Sequence, residues 1–262
     1  VTTAFLKAAK HQNLHVLENS LDADAAVIWS TLWAGRMQKN HAVYQHYRVQ
    51  NKPVFIIEVG ALHRNVTWKI CLNHVNAMGI YGHTANLDHQ RPSALGISLK
   101  TQHRSQDTVL IAAQHHRSLQ LQSIDQESWI NEQIVSIRKY TDRPIMVRSH
   151  PRSPLNAAKL SRDITLQFPG KISGSYDDFD FSFDHHAIIN YCSGPGIQAA
   201  IAGVPVITDV SSLAHPVSIA LADIDQPPAV DRHQWLVEIS HTEYLLEEIE
   251  NALWLKRLSD WL

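Results

Sequence analysis

Arg148-Ser149-His150-Pro151-Arg152 and, further on, Ser193-Gly194-Pro195-Gly196 are the two stretches of this chain whose residue types and spacing suit them to hold an anion. A guanidinium offers phosphate a planar two-pronged fork, and an imidazole can donate one ring N–H. The first stretch follows the apolar run Ile145-Met146-Val147, so its polar side chains emerge at a strand's carboxyl end, the ligand-binding edge of an open α/β sheet. The second lies between the apolar runs AIINYCS (187–193) and VPVITD (204–209), and it predicts a turn that opens a short helix closed by Gly203. Such a helix start presents unpaired backbone N–H groups and the positive end of its dipole. Together the two stretches predict a diphosphate cradle. With neither GxxxxGK[ST] nor GxGxxG present, they point to neither ATP hydrolysis nor a dinucleotide. The plain alternatives are a glycine-rich turn that binds nothing and a solvated strand end.

Other ionisable residues invite roles of their own. Glu58 ends the apolar run VFII just before Gly60, where a carboxylate could take the proton of an attacking hydroxyl. Arg64, one turn on, either holds that carboxylate or contacts phosphate; a Glu satisfied for structural reasons is the alternative. Gln198 either faces the same pocket as Ser193 or lies on the helix surface. Among the seventeen histidines, His115-His116 and the pair in Asp184-His185-His186 are adjacent in sequence. Neighbouring side chains on a strand point to opposite faces, and neither pair has helical i, i+4 spacing, so no metal site is predicted.

Six short apolar runs are predicted as buried strands, at 22–30, 53–60, 107–114, 143–150, 187–193 and 204–209. Helices are predicted at Trp33–Asn51, Ser128–Tyr140, Pro154–Phe168 and Thr242–Leu262. The alternation argues for an α/β protein with parallel sheets covered by helices. The Asn-, His- and Gly-rich middle from Trp68 to His103 has no clear period and is predicted as loops. A boundary is placed between Gln114 and Ser128, giving domains 1–118 and 119–262. The net charge of −2 excludes a globally basic nucleic-acid binder. Two distant cysteines, Cys71 and Cys192, argue against a disulfide framework or zinc site and fit a reducing cytoplasm. No apolar stretch reaches the roughly 18 residues that a membrane span needs, so no membrane insertion is expected.

The order strand, R-x-H-P, helix, strand ending in Ser-Gly, short helix, Gly-x-Pro-Val-Ile resembles the nucleotide-binding half of GT-B glycosyltransferases. Within that fold it is most similar to the capsule and Kdo-transferase branch and to short phage-encoded glycosyltransferase-like proteins. IIEVGALHR (56–64), RPSALGISL (91–99), VLIAAQHHRSLQL (109–121) and HTEYLLEEIENALW (241–254) share the likeness, which runs from Val54 onward. The resemblance implies two Rossmann-like parallel-sheet domains facing a cleft, the N-terminal one reduced and on the acceptor side, the C-terminal one binding a nucleotide-sugar donor. It further implies sugar transfer without a metal, with Glu58, Arg148 and His150 catalytic. Arg64, Arg152, Ser193, Gly194, Pro195, Gly196 and Gln198 would bind the donor, a UDP-sugar. No other cofactor is implied, and Gln114 and Ser118 fall where acceptor-side or interdomain contacts would be.

The acceptor expectation rests on charge. Arg36, Lys39, Arg48, Lys52, Arg64, Lys69, Arg91, Lys100 and Arg104 stand against only Glu58 and Asp88 between 31 and 106. That excess favours double-stranded DNA carrying hydroxymethylated pyrimidines, as in phage systems acting in a host cytoplasm. Capsular or lipid-linked glycan is the competing acceptor. Asp184-His185-His186, with Asp22 and Asp24, is also similar to the motif of DHH phosphoesterases, which keeps a two-metal phosphohydrolase open; a non-catalytic ligand-binding protein of the same fold is the third alternative.

Overall fold

The computed structural model describes residues 1–102, 107–174 and 178–262, and the chain forms two compact units. The first comprises Val1–Ser98 and Gln234–Leu262, the second Leu99–His233. In chain order the first unit contributes α1 (Thr2–His11), β1 (Ala26–Trp29), α2 (Gln38–Val49), β2 (Val54–Val59), β3 (Trp68–Leu72) and the short α3 (Arg91–Ala94). The second follows with β4 (Val109–Ala112), α4 (Gln126–Ile137), β5 (Ile145–Arg148), β6 (Thr165–Gln167), β7 (Ala187–Asn190), α5 (Gly194–Ala202) and β8 (Val206–Thr208). The chain then returns to the first unit through α6 (His233–Ser240), β9 (Glu243–Tyr244), α7 (Leu246–Glu250) and α8 (Leu253–Leu258).

The second unit carries the parallel sheet expected of the sequence, in the order β6-β5-β4-β7-β8. The chain steps outward from β4 to β5 and β6, then crosses to the far side of β4 for β7 and β8. Strand order therefore reverses between β4 and β7, which opens a crevice at their carboxyl ends. Val109, Ile111, Ile145, Val147, Ala187 and Ile189 share one face and pack against Ile130, Ile134 and Ile137 of α4. Fully burying each such isoleucine stabilises by about 1.5–3 kcal/mol, so the sheet is a stiff platform for its edge. Asp125 caps α4 by accepting from the Ser128 amide at 2.9 Å. Gly203 ends α5 with φ at 85°, and a Cβ there would lie 2.3 Å from the Thr101 carbonyl oxygen.

The first unit departs from expectation. Its sheet has the order β1-β2-β3-β9, and only β1 and β2 are parallel. β3 lies inside the stretch predicted as loop, because its apolar run WKICL is short and sits between polar segments. The C-terminal segment, predicted as one helix over 242–262 in the second domain, instead returns to the first unit and pairs as β9 before two short helices. Ala252, at φ 55°, breaks the helix between α7 and α8. Burial drives this return: Trp254 stacks on Phe5 at 4.2 Å and meets Phe55 edge-on at 5.0 Å, with Tyr244, Ile70, Leu72 and Leu258 around them.

Two further expectations are corrected. The helix over 154–168 is replaced by a single turn at Ala157–Lys159 and the edge strand β6. Its residues Ile164-Thr165-Leu166 prefer the extended chain next to β5. The domain boundary lies at 98/99 rather than 118/119, because β4 is the central strand of the second sheet and 113–125 is its connection to α4. Among the described residues, no helix is long and apolar enough to cross a membrane.

Candidate functional site

At the reversal point the loops after β4 and β7 are tied together by two buried amide side chains. Asn190, the last residue of β7 and wholly buried, donates from Nδ2 to the Ala112 carbonyl and to Ser193 Oγ, both at 2.9 Å. Its Oδ1 accepts from the Ser193 amide at 2.8 Å. Gln114, just past β4, accepts at Oε1 from the Cys192 backbone N–H at 3.3 Å, and its own backbone N–H donates to Gln126 Oε1 at 3.0 Å. The turn into α5 is thus held at consecutive residues, Cys192 by the sequence-distant Gln114 and Ser193 by its neighbour Asn190, which is itself tied to Ala112. Ser193 occupies the N-cap of α5 yet makes no side-chain capping bond to the first-turn amides. Pro195 has no N–H to offer, and Gly196 is buried against Asn190 and Thr208. Gln198 is half-buried one turn in.

Beside this turn, the ends of β4 and β5 bring together residues that sequence reasoning set aside. The His115 and His150 rings lie 5.2 Å apart, edge to face, and His116 stacks on His115 at 5.3 Å. Nδ1 of His150 accepts from the Arg152 amide, and Nδ1 of His115 from the Arg117 amide, each at 3.1 Å. In the neutral rings this assigns the proton to Nε2, so both imidazoles are Nε2–H donors. Arg117 donates from Nε to His116 Nε2 at 3.1 Å, which leaves Nδ1 of that ring to donate to Ser153 Oγ. The expected His150 and Arg152 are therefore joined by His115, His116 and Arg117. The signal that could have found these is their position immediately after the central strand VLIAA, where a reversal-point crevice opens.

Arg148 does not join that group as expected. Only 6% exposed, it donates from Nη1 to Gln167 Oε1 at 3.0 Å and from Nη2 to both the carboxylate and the backbone carbonyl of Asp180. Its guanidinium also lies over the Phe181 ring, 5.0 Å from the centroid. The fork is turned toward β6, away from β4 and β7, and its hydrogen bonds are spent within the protein. Arg148 in turn holds the Asp180 carboxyl below its ordinary pKa, helped by the Gly170 amide.

In the first unit Glu58 is half-buried near the end of β2, accepting from the Val59 amide at 3.1 Å. Directly across from it on β3 stands Lys69, and across from Lys69 on β9 stands Glu243, so the three share one face of the sheet. Sequence reasoning missed Glu243, which is wholly buried and accepts from the Ala61 amide at 2.7 Å, the Leu62 amide at 3.1 Å and Thr67 Oγ1 at 2.7 Å. It holds the loop after β2, on which Arg64 is exposed.

The basic run loses its force as a nucleic-acid signal. Lys69 and Arg91 are buried, and Arg91 forms a two-pronged ion pair with Glu248 at 2.6 and 3.0 Å. Lys52 donates to the Ala23 carbonyl and Arg48 to the Lys52 carbonyl. Lys100 falls in the second unit, and Arg104 lies outside the described residues. Residues 1–98 carry nine Lys/Arg and five Asp/Glu, and 234–262 carry two and six, so the first unit is balanced at eleven of each.

Asp184-His185-His186 precedes β7 and so sits at the amino end of the sheet, opposite the crevice. His186 is buried and its Nε2 donates to the Ile224 carbonyl at 2.7 Å, a structural tie. Burial lowers the pKa of His185. No group of three or more His, Cys, Asp or Glu among the described residues could hold a metal ion.

No protein-family profile matches the chain, and no curated protein matches it. Solved structures do match. The β-Kdo 2,4 transferase of Thermosulfurimonas dismutans KpsC superposes with a TM-score of 0.56 at 13% identity, covering 95% of this chain and 93% of that one. The chain has a GT-B-type fold. The β-Kdo 2,7 transferase of the same KpsC gives a TM-score of 0.50 at 12% identity, covering 97% and 96%. The GT-B likeness read from the R-x-H-P, Ser-Gly and Gly-x-Pro-Val-Ile stretches thus holds at the level of the fold, although the first unit's sheet is mixed where two parallel sheets were expected.

Proposed function

We propose that this protein is a glycosyltransferase that takes a sugar from a nucleotide-sugar donor and passes it to a glycan. The observation that carries the proposal is the crevice between β4 and β7 in a GT-B-type fold, where an uncapped helix start, the Ser193 hydroxyl and two Nε2–H imidazoles gather at one sheet edge. Groups of this kind are neutral hydrogen-bond donors, suited to the charge that grows on a departing phosphate as the glycosidic bond breaks. In the transfer the acceptor oxygen bonds to the anomeric carbon, the phosphate oxygen leaves with the electron pair, and a base takes the acceptor's proton. Glu58 is the proposed base. Ser193, Gly194, Pro195, Gly196, Gln198, His150 and Arg152 are the proposed donor contacts, and UDP is the first nucleotide to try. The fold neighbours are Kdo transferases by name, which favours an acidic sugar and a glycan acceptor. Modified DNA has less support, because the basic excess on which it rested does not belong to the first unit as folded.

The test is a calorimetric screen of UDP, CDP, GDP and CMP, followed by transfer from the matching sugar donors to glycan primers and to hydroxymethylated duplex DNA, read by mass spectrometry. Nucleotide binding with mass added to a glycan supports the proposal, and Glu58→Gln should then slow transfer by about 100-fold or more without weakening the nucleotide. A folded protein that binds none of the four removes the donor site. Mass added to DNA alone restores the nucleic-acid acceptor.

A further inference from the structure

We infer that Asn190 is a positioning residue that turns the Ser193 hydroxyl into a donor for an oxyanion; the inference rests on the donor-site proposal above. Its side-chain amide has only one orientation compatible with its partners. The Ala112 carbonyl can only accept and the Ser193 backbone N–H can only donate, so Nδ2 must face the first and Oδ1 the second. Nδ2 has two protons; one goes to Ala112 and the other to Ser193 Oγ. Because Oγ accepts from Asn190, the serine's own proton cannot point back at that amide and is directed elsewhere. The same bond draws Ser193 away from the usual N-cap role, so its side chain leaves the first-turn amides of α5 uncapped.

Burial makes the arrangement stiff. Asn190 has no solvent exposure, and losing any of its three bonds would orphan a polar group in the interior. Gly196 explains why the helix can start so close: a Cβ there would sit 3.2 Å from Asn190 Oδ1. An aspartate at 190 would match the shape and reverse the polarity. Its second oxygen would accept the Ser193 hydroxyl proton, turn the serine's lone pairs outward and place a negative charge behind an anion site.

The experiment compares wild type with Asn190→Asp, Asn190→Ala, Ser193→Ala and the Asn190→Ala/Ser193→Ala double variant. Calorimetry measures affinity for the tightest binder among UDP, CDP, GDP and CMP and for its phosphate-free nucleoside; thermal unfolding without ligand checks the fold. Ser193→Ala should weaken the nucleotide by roughly 10- to 150-fold, the range for one hydrogen bond to a charged group. Asn190→Asp should weaken it at least as much while the nucleoside changes by less than about threefold. The double variant should bind no worse than Ser193→Ala by more than about threefold, because the two residues act as one device. Should Asn190→Asp fail to fold, the Ala cycle and Ser193→Thr, which restores the hydroxyl, decide the matter. Nucleotide affinity unchanged in the Asn190 variants, equal losses for nucleotide and nucleoside, or single-variant effects that simply multiply would each overturn the inference and leave the donor site in place. A wild type that binds no nucleotide overturns both.

Discussion

Replacing Gly196 by valine tests whether the start of α5 is the donor site and why a glycine stands there. A Cβ at this position would come 3.2 Å from Asn190 Oδ1 and 3.3 Å from Thr208 Cγ2, tighter than ordinary van der Waals contact yet relieved by a few tenths of an ångström. Alanine should therefore be tolerated. The two further methyls of valine must displace Asn190 or Thr208, and overpacking of this kind costs about 1–3 kcal/mol. For a domain of this size that lowers the melting temperature by about 2–12 °C without ligand. A nucleotide present at 100 times its Kd stabilises wild type by about 2.7 kcal/mol, a rise of roughly 5–11 °C. Gly196→Ala should keep most of that rise and Gly196→Val should lose it, measured by differential scanning fluorimetry with and without nucleotide. A valine variant that responds like wild type would refute the placement. An alanine variant as impaired as the valine one would refute the argument from space.

Three further outcomes follow from the same contacts. Arg148→Met should reduce stability in urea by about 1–3 kcal/mol, less than for a fully buried pair because Asp180 faces solvent, and should leave nucleotide affinity nearly unchanged. Turnover lost at full stability would instead return Arg148 to the leaving group. Glu243→Gln can keep at most two of three accepted bonds, and it leaves one buried donor facing an NH₂; thermal unfolding should show a loss of about 2–4 kcal/mol, and a melting temperature within 2 °C of wild type would show that the loop after β2 does not depend on it. Burial lowers the pKa values of His41, His74, His185 and His241 below the ordinary 6.5, so the unfolded chain binds more protons and stability is lost as pH falls from about 6.5 through the folded values. His241 donates from Nδ1 to Val237 and accepts at Nε2 from the Asp88 amide, so His241→Gln should flatten that slope by up to about one proton; an unchanged slope in pH-dependent urea unfolding would contradict it.

The second unit was largely legible because its signals are local. All four of its predicted strands contain an observed one, the Ser193 turn opens its helix, and Gly203 closes it at positive φ. Runs such as VLIAA and the AII that opens β7 are short, wholly apolar and contain β-branched residues, the pattern of strands buried on both faces. What escaped depends on partners distant in sequence. β3 is a strand because β2 and β9 lie on either side, and β9 is only two residues long. Arg148 after IMV reads as a phosphate fork until Asp180 and Phe181 are seen to occupy it. His115 and His116 fail as metal ligands by spacing, and no linear spacing shows that His115 meets His150 across two parallel strands.

The same distance effect decides the charge argument. Counting charges along 31–106 treats a stretch of sequence as a surface, whereas the folded unit adds 234–262 and buries part of what was counted. Arg91 shows both effects: its Nε donates to the Ser240 carbonyl, one Nη to the Glu243 carbonyl, and both Nη groups to Glu248, all from the returning segment. A guanidinium saturated in this way supplies no phosphate contact, and counterion release scales with the cations that reach phosphates rather than with those present in the chain. The crevice of the second unit works by the opposite economy. The donors proposed for it are the Ser193 hydroxyl, held by Asn190, and imidazoles whose Nδ1 accepts from a backbone N–H, while Arg148 is spent in holding β5 to β6 and the 178–181 segment. Recognition built from oriented neutral donors depends on geometry more than on net charge, so a net charge of −2 does not count against the proposed anion site, which rests on the spacing of Ser193 and Gly196 rather than on a count of Lys and Arg.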